Sequence, residues 1–343
     1  MKKYQISLPL YFLITLLILG CGNAEKKAVK EETTPSNYYE LVNDWPKLPD
    51  NFILGSPTGL GLDTNGDIIV FHRSGRAWDS MPISHLPLID KNTISKIDPN
   101  SGKVLKSWGK NLFIMPHGLE VDRQNNIWVT DCGLHQVFKF DPDGNLLMTL
   151  GEAKVSGNDS SHFNLPTDIA VTDDGSFYVS DGYLNSRVIK FSKDGEYLFE
   201  WGEFGNQNGE FNIPHGIDLD KEGNVYVADR ENNRIQKFDA KGNFIGLWQN
   251  KITEQLYSVA IDNNEDHLFG IDYMTINDTL IKGSDIFRFD LSFNLQMQFG
   301  RTGSYDGPIS RYHDILIDGN GSIYVGDILG NKIQKFQLKS KNK

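Results

Sequence analysis

The sequence of 343 residues predicts an all-β fold, a six-bladed β-propeller of four-stranded antiparallel blades in which an N-terminal strand closes the ring. Three observations favour this fold: a sequence motif recurs six times, its period is about 50 residues, and glycine is abundant. The 33 glycines exceed the usual share of about 7% and indicate many turns. Ordinary apolar and charged fractions, 39% and 23%, exclude wholesale disorder and a polytopic membrane protein.

Each repeat consists of a short β-rich segment, a polar turn and a second β-rich segment. The clearest copies are PHGLEVDRQNNIWVTD, PTDIAVTDDGSFYVSD and PHGIDLDKEGNVYVAD, and a third segment such as QVFKFD follows every copy. Asn-Gly and Asp-Gly pairs at the turns are typical of tight hairpins, so the segments are predicted to be antiparallel strands. The six copies begin at Pro57, Pro116, Pro166, Pro214, Leu256 and Tyr312.

The sixth repeat ends after its third strand and lacks a fourth. We expect residues 38–45 to supply that strand, because a closed ring leaves no exposed sheet edge. A solenoid is the alternative, but the repeats include no capping repeat, which favours a ring. The first repeat also carries an insertion at about residues 74–92.

The N-terminal 37 residues are interpreted as a targeting segment and a tether. A basic start and an apolar run predict a lipoprotein signal peptide over residues 1–20, and the run ends in Ile-Leu-Gly-Cys, which resembles the bacterial lipoprotein box. Cys21 is therefore predicted to be lipidated; a secreted protein with a chance cysteine is the alternative. Residues 21–37 are predicted to form a flexible tether and residues 38–343 the propeller. We expect an extracytoplasmic lipoprotein of the bacterial cell envelope, which contacts the membrane only through its anchor.

Charge and cysteine content narrow the possible partners. Acidic residues exceed basic ones by 45 to 34, and the net charge of −11 disfavours a nucleic-acid partner held by a basic face. Two cysteines cannot form a disulfide framework. We expect a monomer that acts on a small molecule or peptide.

Three of the eight histidines occupy equivalent places in alternate repeats. His117, His215 and His313 hold the same position of the first strand in repeats two, four and six, here called the ring position. Because first strands line the channel of a propeller and these blades are about 120° apart, the imidazoles are predicted to converge on the axis. Three neutral imidazoles with an open fourth position are the ligand set of a catalytic zinc ion. The alternative is that each is a structural histidine in the core or a turn.

A second set of equivalent residues follows the second strands. Arg73 and Arg230 lie there in repeats one and four, on opposite blades, where two guanidinium groups could bind a carboxylate. Tyr183 follows the second strand of repeat three and is expected at the same mouth of the channel. A metal and two arginines would lower its pKa, so that it could act as a base. Ion-paired surface arginines and a tyrosine packed on the blade rim are the alternatives.

Several of these motifs resemble one known family. MPHGLEVD, WVTDCGLHQVFKFDP, YVSDGYLNSR, VADRENNRIQKF and IIVFHRSGRAWDS are similar to the catalytic core of the peptidyl-α-hydroxyglycine α-amidating lyases, six-bladed propellers of the NHL-repeat group. The resemblance covers about residues 58–336. It implies that His117, His215 and His313 are zinc ligands. It implies that Tyr183 is the catalytic base and that Arg73 and Arg230 are catalytic arginines. It also implies a structural calcium site formed by the main-chain carbonyls of Leu60 and Leu119 and the carboxylate of Asp314.

The resemblance implies a zinc-dependent lyase that cleaves an N-acyl or peptidyl α-hydroxyglycine, a carbinolamide, into the amide and glyoxylate. Zinc would be catalytic and calcium structural. The chain departs from the family at Arg311, which stands where the family commonly has methionine, so the lining of the pocket differs. A non-catalytic NHL propeller that binds a partner at the envelope is one alternative function. Another six-bladed lyase or lactonase is the second.

Overall fold

A computed structural model describes residues 38–78, 81–251, 255–262, 264, 266–276, 280–300 and 309–339. The predicted signal peptide, the lipidation site Cys21 and the tether lie outside these ranges. Within them the chain folds into β-strands and one 3₁₀ turn, Ile83–His85, which belongs to the insertion of the first repeat. Among the described residues there is no helix of the length and apolarity that a membrane span requires.

Twenty-five strands, numbered in chain order, make up the described part of the fold: β1 (Tyr39–Leu41), β2 (Pro57–Leu62), β3 (Ile68–His72), β4 (Ile94–Ile97), β5 (Val104–Trp108), β6 (Pro116–Val121), β7 (Ile127–Asp131), β8 (Gln136–Phe140), β9 (Leu146–Leu150), β10 (Pro166–Val171), β11 (Phe177–Asp181), β12 (Arg187–Phe191), β13 (Tyr197–Trp201), β14 (Pro214–Leu219), β15 (Val225–Asp229), β16 (Arg234–Phe238), β17 (Phe244–Gln249), β18 (Gln255–Ile261), β19 (His267–Ile276), β20 (Leu280–Gly283), β21 (Asp285–Asp290), β22 (Leu295–Gly300), β23 (Tyr312–Ile317), β24 (Ile323–Asp327) and β25 (Lys332–Leu338).

The strands form six antiparallel sheets, one for each repeat, and confirm the predicted six-bladed propeller. Four blades follow the simple order of their strands, from β2 to β5, β6 to β9, β10 to β13 and β14 to β17. The fifth blade has the order β18-β19-β21-β22, with β20 paired to β19. In the sixth blade β1 pairs with β25, and Tyr39 lies opposite Leu338. The N-terminal strand therefore closes the ring, as predicted.

The first strand of each blade packs against the first strands of its two neighbours and lines the central channel. These strands approach so closely that some positions exclude a side chain. A Cβ atom on Gly59 would lie 2.6 Å from the Leu119 side chain, and one on Gly118 would lie 2.4 Å from Asp168. Part of the glycine excess thus serves the contact between blades, beyond the hairpin turns that the sequence indicates.

The apolar core lies between adjacent blades, where residues of neighbouring second strands interleave. Trp128 of β7 packs on Phe177 of β11 with ring centroids 4.6 Å apart, and both side chains are fully buried. A buried aspartate at the end of each of these strands holds the loop that enters its blade. Asp131 accepts hydrogen bonds from the backbone N–H groups of Ile114 and Met115, at 2.8 and 2.9 Å. These bonds fix the loop directly before the start of β6.

Candidate active site

Three histidines meet at the channel axis, one from each alternate blade. His117, His215 and His313 lie on β6, β14 and β23, and all three side chains are buried. Their ring centroids are 4.6 to 4.8 Å apart. One ligand nitrogen of each lies within 4.8 Å of the other two, so the set could hold a metal ion. The structure thus brings together the three histidines that the repeats indicated.

A β-bulge occurs at the ring position of every blade. The pairing between the first and second strands shifts register there, directly after the first residue of the first strand in five blades and after the second residue, Leu256, in the fifth. A bulge leaves one residue outside the ladder and changes the direction of its side chain. The histidines therefore project toward the axis, and the carbonyl groups at the same positions become available to other donors.

Hydrogen bonds between blades set the tautomer of each imidazole. Each Nδ1 donates to the main-chain carbonyl at the ring position of the next blade: His117 to Thr167 at 2.6 Å, His215 to Tyr257 at 2.8 Å and His313 to Thr58 at 2.9 Å. Because a carbonyl oxygen only accepts, the proton is on Nδ1 and the lone pair is on Nε2. Burial lowers the pKa of all three imidazoles well below its ordinary value, and neighbouring imidazoles and arginines lower it further.

The three Nε2 lone pairs are poorly satisfied by the protein alone. The Tyr183 hydroxyl lies 3.0 Å from Nε2 of His117 and 3.2 Å from Nε2 of His215, but it has a single proton for two acceptors. No described residue donates to Nε2 of His313. Neutral imidazoles whose Nδ1 atoms donate to carbonyl groups are suited to bind zinc through Nε2, so the residues present fit such an ion.

The Tyr183 ring lies at the mouth, against aromatic and cationic neighbours. Its centroid is 4.8 Å from the Trp78 ring, and the Arg230 guanidinium is 5.5 Å from it. Burial raises the pKa of Tyr183 to about 12, although Arg230 and Arg73 act to lower it. The two arginines alone therefore do not lower the pKa of Tyr183, because the desolvation of the phenolate outweighs them. The expectation of a lowered pKa includes a bound metal ion and stays a prediction.

Arg73 and Arg230 both lie at this mouth, as expected. The Arg73 side chain is 5% exposed, and its Nε donates to the Pro116 carbonyl at 3.1 Å. The Arg230 guanidinium forms an ion pair with Glu231 at 2.8 Å, a partner that sequence reasoning missed. Both arginines are close enough to His117 to lower the pKa of its imidazole. The buried Arg73 guanidinium has no carboxylate within ion-pair distance in the described part of the chain, and such a group is a favourable site for an anion.

A second polar region lies farther along the channel, where a cavity of about 660 Å³ is lined by the middle and end of the first strands. Leu60, Leu119 and Asp314 line this cavity, and none of the three histidines does. The Asp314 carboxylate accepts from the backbone N–H of Leu60 at 2.7 Å and from the Ser258 hydroxyl at 2.9 Å. The structure therefore places Asp314 beside Leu60.

Three further carboxylates, Glu120, Asp168 and Asp218, line the same cavity and were missed by sequence reasoning. Burial raises the pKa of Glu120 and Asp168 well above the ordinary value and that of Asp314 to about 7, and repulsion among the carboxylates raises all three further. A comparison of the repeats beyond the ring position could have found them, since they follow it by one or three residues on their strands.

The chain is similar to one repeat family and to several named proteins. The NHL repeat family matches residues 113–140, 163–191 and 211–238. Peptidyl-glycine alpha-amidating monooxygenase A of Xenopus laevis is 36% identical over 92% of this chain, which spans about a third (35%) of that protein. A probable peptidyl-alpha-hydroxyglycine alpha-amidating lyase of Caenorhabditis elegans is 34% identical over 83% of this chain and 83% of its own length.

Solved structures show the same fold at low sequence identity. A streptogramin B lyase structure covers 88% of this chain, and 98% of that chain is matched, with a TM-score of 0.59 and 14% identity. At this identity the likeness concerns the fold alone.

Proposed function

Because the chain belongs to the peptidyl-α-hydroxyglycine α-amidating lyase family, we propose that it is a zinc-dependent lyase. Its substrate is an N-acyl or peptidyl α-hydroxyglycine, and its products are the corresponding amide and glyoxylate. The observation that carries the proposal is the convergence of three Nε2 lone pairs beside one phenol and two guanidinium groups. A non-catalytic binding module would not need this combination.

The reaction requires few groups. The hydroxyl of the substrate loses its proton, a carbonyl forms at the same carbon, and the bond between this carbon and the amide nitrogen breaks. The nitrogen keeps the bonding electrons and takes up one proton, so the reaction is neutral in protons. A zinc ion on the three imidazoles would supply positive charge that favours an alkoxide at the hydroxyl and a phenolate at Tyr183.

The residues at the mouth then have separate tasks. Tyr183 accepts the hydroxyl proton, since its oxygen already lies within hydrogen-bond reach of two imidazoles. Arg73 binds the carboxylate of the hydroxyglycine, because its buried guanidinium has no ion-pair partner among the described residues. Arg230, held by Glu231, stabilises the negative charge that develops as the C–N bond breaks.

Glyoxylate release from α-hydroxyhippurate tests the proposed function. We expect the purified protein to release glyoxylate and benzamide in equal amounts, to lose this activity with a strong chelator, and to regain it with added zinc. Magnesium added to the chelated protein is the control, because it prefers oxygen ligands to imidazole. A chelated, metal-free protein with full activity would contradict zinc dependence. Absence of turnover in a zinc-loaded protein would favour the binding module.

Calcium is proposed as a structural ion of the 660 Å³ cavity farther along the channel, held by the carbonyl groups of Leu60 and Leu119 and the carboxylate of Asp314. The support is chemical: Glu120, Asp168, Asp218 and Asp314 repel one another in one cavity, and Ca²⁺ prefers oxygen ligands. When the free calcium concentration is about 100 times the Kd, calcium is expected to raise the free energy of unfolding by about 2.7 kcal/mol. This raises Tm by at least about 3 °C in scanning calorimetry.

Asp314→Asn is the matched variant for the calcium prediction, since it keeps the shape of the side chain and removes its charge. The shift of Tm by calcium should shrink or vanish in this variant. An equal shift in both proteins would show that calcium binds elsewhere.

A further inference from the structure

A third arginine, Arg311, lies at the mouth and has no task in the proposed reaction. Its Nε donates to the Tyr257 hydroxyl at 2.9 Å, and Nη2 donates to the same oxygen. The guanidinium carbon is 4.6 Å from the Tyr273 ring centroid, a cation–π distance. The backbone N–H donates to buried Asp327 at 2.9 Å. The side chain and the backbone of Arg311 are thus both fixed in place.

Tyr257 connects Arg311 to the rest of the site. Its ring centroid is 5.1 Å from the His215 ring and 5.8 Å from the His313 ring, and the Arg230 guanidinium is 5.1 Å from it. Hydrogen bonds continue from the Tyr257 hydroxyl to Gln255 at 3.2 Å and from Gln255 to Glu231 at 2.7 Å. Arg230 and Arg311 therefore lie beside the same tyrosine, at opposite ends of one hydrogen-bonded chain.

The mouth carries excess positive charge in a chain whose net charge is −11. Of Arg73, Arg230 and Arg311, only Arg230 has a carboxylate within ion-pair distance in the described part of the chain. Arg311 is close enough to Arg73 for their repulsion to act on the Arg73 pKa. The hydroxyglycine supplies a single carboxylate, which leaves one guanidinium without an anionic partner.

We propose that Arg311 binds a second anionic group, a carboxylate on the acyl portion of the substrate. The inference rests on the proposed function and specifies its substrate class: an α-hydroxyglycine acylated by a dicarboxylic acid or by an acidic amino acid. Tyr257 occupies Nε and one N–H of Nη2, and no described residue accepts from Nη1. The free edge of the planar guanidinium can therefore take a carboxylate through two parallel hydrogen bonds.

Paired substrates test the charge preference. N-succinyl-α-hydroxyglycine and its neutral isostere, N-succinamyl-α-hydroxyglycine, differ by one carboxylate and have the same shape. The wild-type kcat/KM is expected to be about 10- to 100-fold higher for the succinyl substrate, the usual value of a charge-assisted hydrogen bond. Arg311→Met should remove this preference with little change for the neutral substrate, and Arg311→Lys should keep part of it.

Arg123→Met is the control variant, because Arg123 is an exposed arginine paired with Asp173. This variant should retain the wild-type preference. Equal losses on both substrates in Arg311→Met would mean that Arg311 merely positions Tyr257, and would overturn the proposal. A wild-type enzyme that does not distinguish the two substrates would overturn it as well.

Equilibrium binding separates this inference from the proposed function. N-succinylglycine and N-succinamylglycine lack the hydroxyl group and cannot react, so titration calorimetry measures their binding without turnover. An Arg311-dependent preference for N-succinylglycine without glyoxylate release from any hydroxyglycine would remove the proposed function and keep the anion site. Normal glyoxylate release without a charge preference in either assay would remove the anion site and keep the function.

Discussion

His215→Ala is expected to abolish zinc retention and to lower kcat for glyoxylate release by about 10³-fold or more. A bound metal is worth several kcal/mol of charge stabilisation, and each 1.36 kcal/mol is about tenfold in rate. The Nε2 of His215 is one of three converging lone pairs, and alanine leaves two imidazoles that cannot complete a catalytic zinc site. Zinc per chain after dialysis and glyoxylate release measure the two effects.

His135→Asn is the matched control for this prediction. His135 is buried, as are the three histidines at the ring position. Its Nδ1 accepts a hydrogen bond from the backbone N–H of Leu165, and it does not belong to the group of histidines that could hold a metal ion. Asparagine tolerates the positive φ of 58° at this position. This variant should keep zinc and turnover. A folded His215→Ala protein that lacks zinc and retains wild-type kcat would contradict the proposed mechanism.

The fold could be predicted because the same pattern of strands and turns recurs in six repeats. Alternating apolar segments, hairpin turns and a missing last strand together predict β1 as the strand that closes the ring, and β1 pairs with β25. The convergence of His117, His215 and His313 follows from the same argument, since a closed ring of six relates alternate blades by symmetry. The topology of the ring thus places equivalent sequence positions near one another in space, and the bulge directs their side chains to the axis.

The chemistry within the site was harder to predict because it depends on contacts between blades. The carbonyl partners of the three histidines lie on the neighbouring blade and are exposed by the bulge at the ring position. A proline precedes four of these positions, and a proline within a strand is typical of a bulge or a strand start, so the sequence did contain a signal. Glu231 and Gln255 had none, because their hydrogen bond joins a loop of the fourth blade to the first strand of the fifth.

The pKa of Tyr183 could not be predicted from the sequence for a different reason. The sequence correctly indicates that Arg73 and Arg230 are neighbours that favour the phenolate. It does not give the extent of burial, which raises the pKa to about 12 and outweighs both cations. The two arginines offset only part of the cost of forming the phenolate. In the proposed mechanism the remaining stabilisation would come from the zinc ion held by the three imidazoles.

Tyr183→Phe is expected to lower kcat by about 10²- to 10⁴-fold, the usual contribution of general acid–base catalysis. KM should change little, because phenylalanine keeps the ring that packs on Trp78 and beside Arg230. Zinc content should stay at the wild-type value, because main-chain carbonyls, and not the tyrosine, form the hydrogen bonds that orient the imidazoles through Nδ1. Steady-state glyoxylate release and metal analysis of the same preparation measure all three quantities.

Tyr178→Phe separates the loss of a base from the loss of any buried hydroxyl. Tyr178 lies on β11, the strand that leads to Tyr183, and its hydroxyl donates to the Ala240 carbonyl at 2.9 Å. Burial also raises its pKa to about 12, yet no histidine of the described residues forms a hydrogen bond with its hydroxyl. This variant should therefore keep wild-type kcat. A Tyr183→Phe protein with wild-type kcat would exclude Tyr183 as the base, and one that has lost its zinc would assign the tyrosine to metal retention instead.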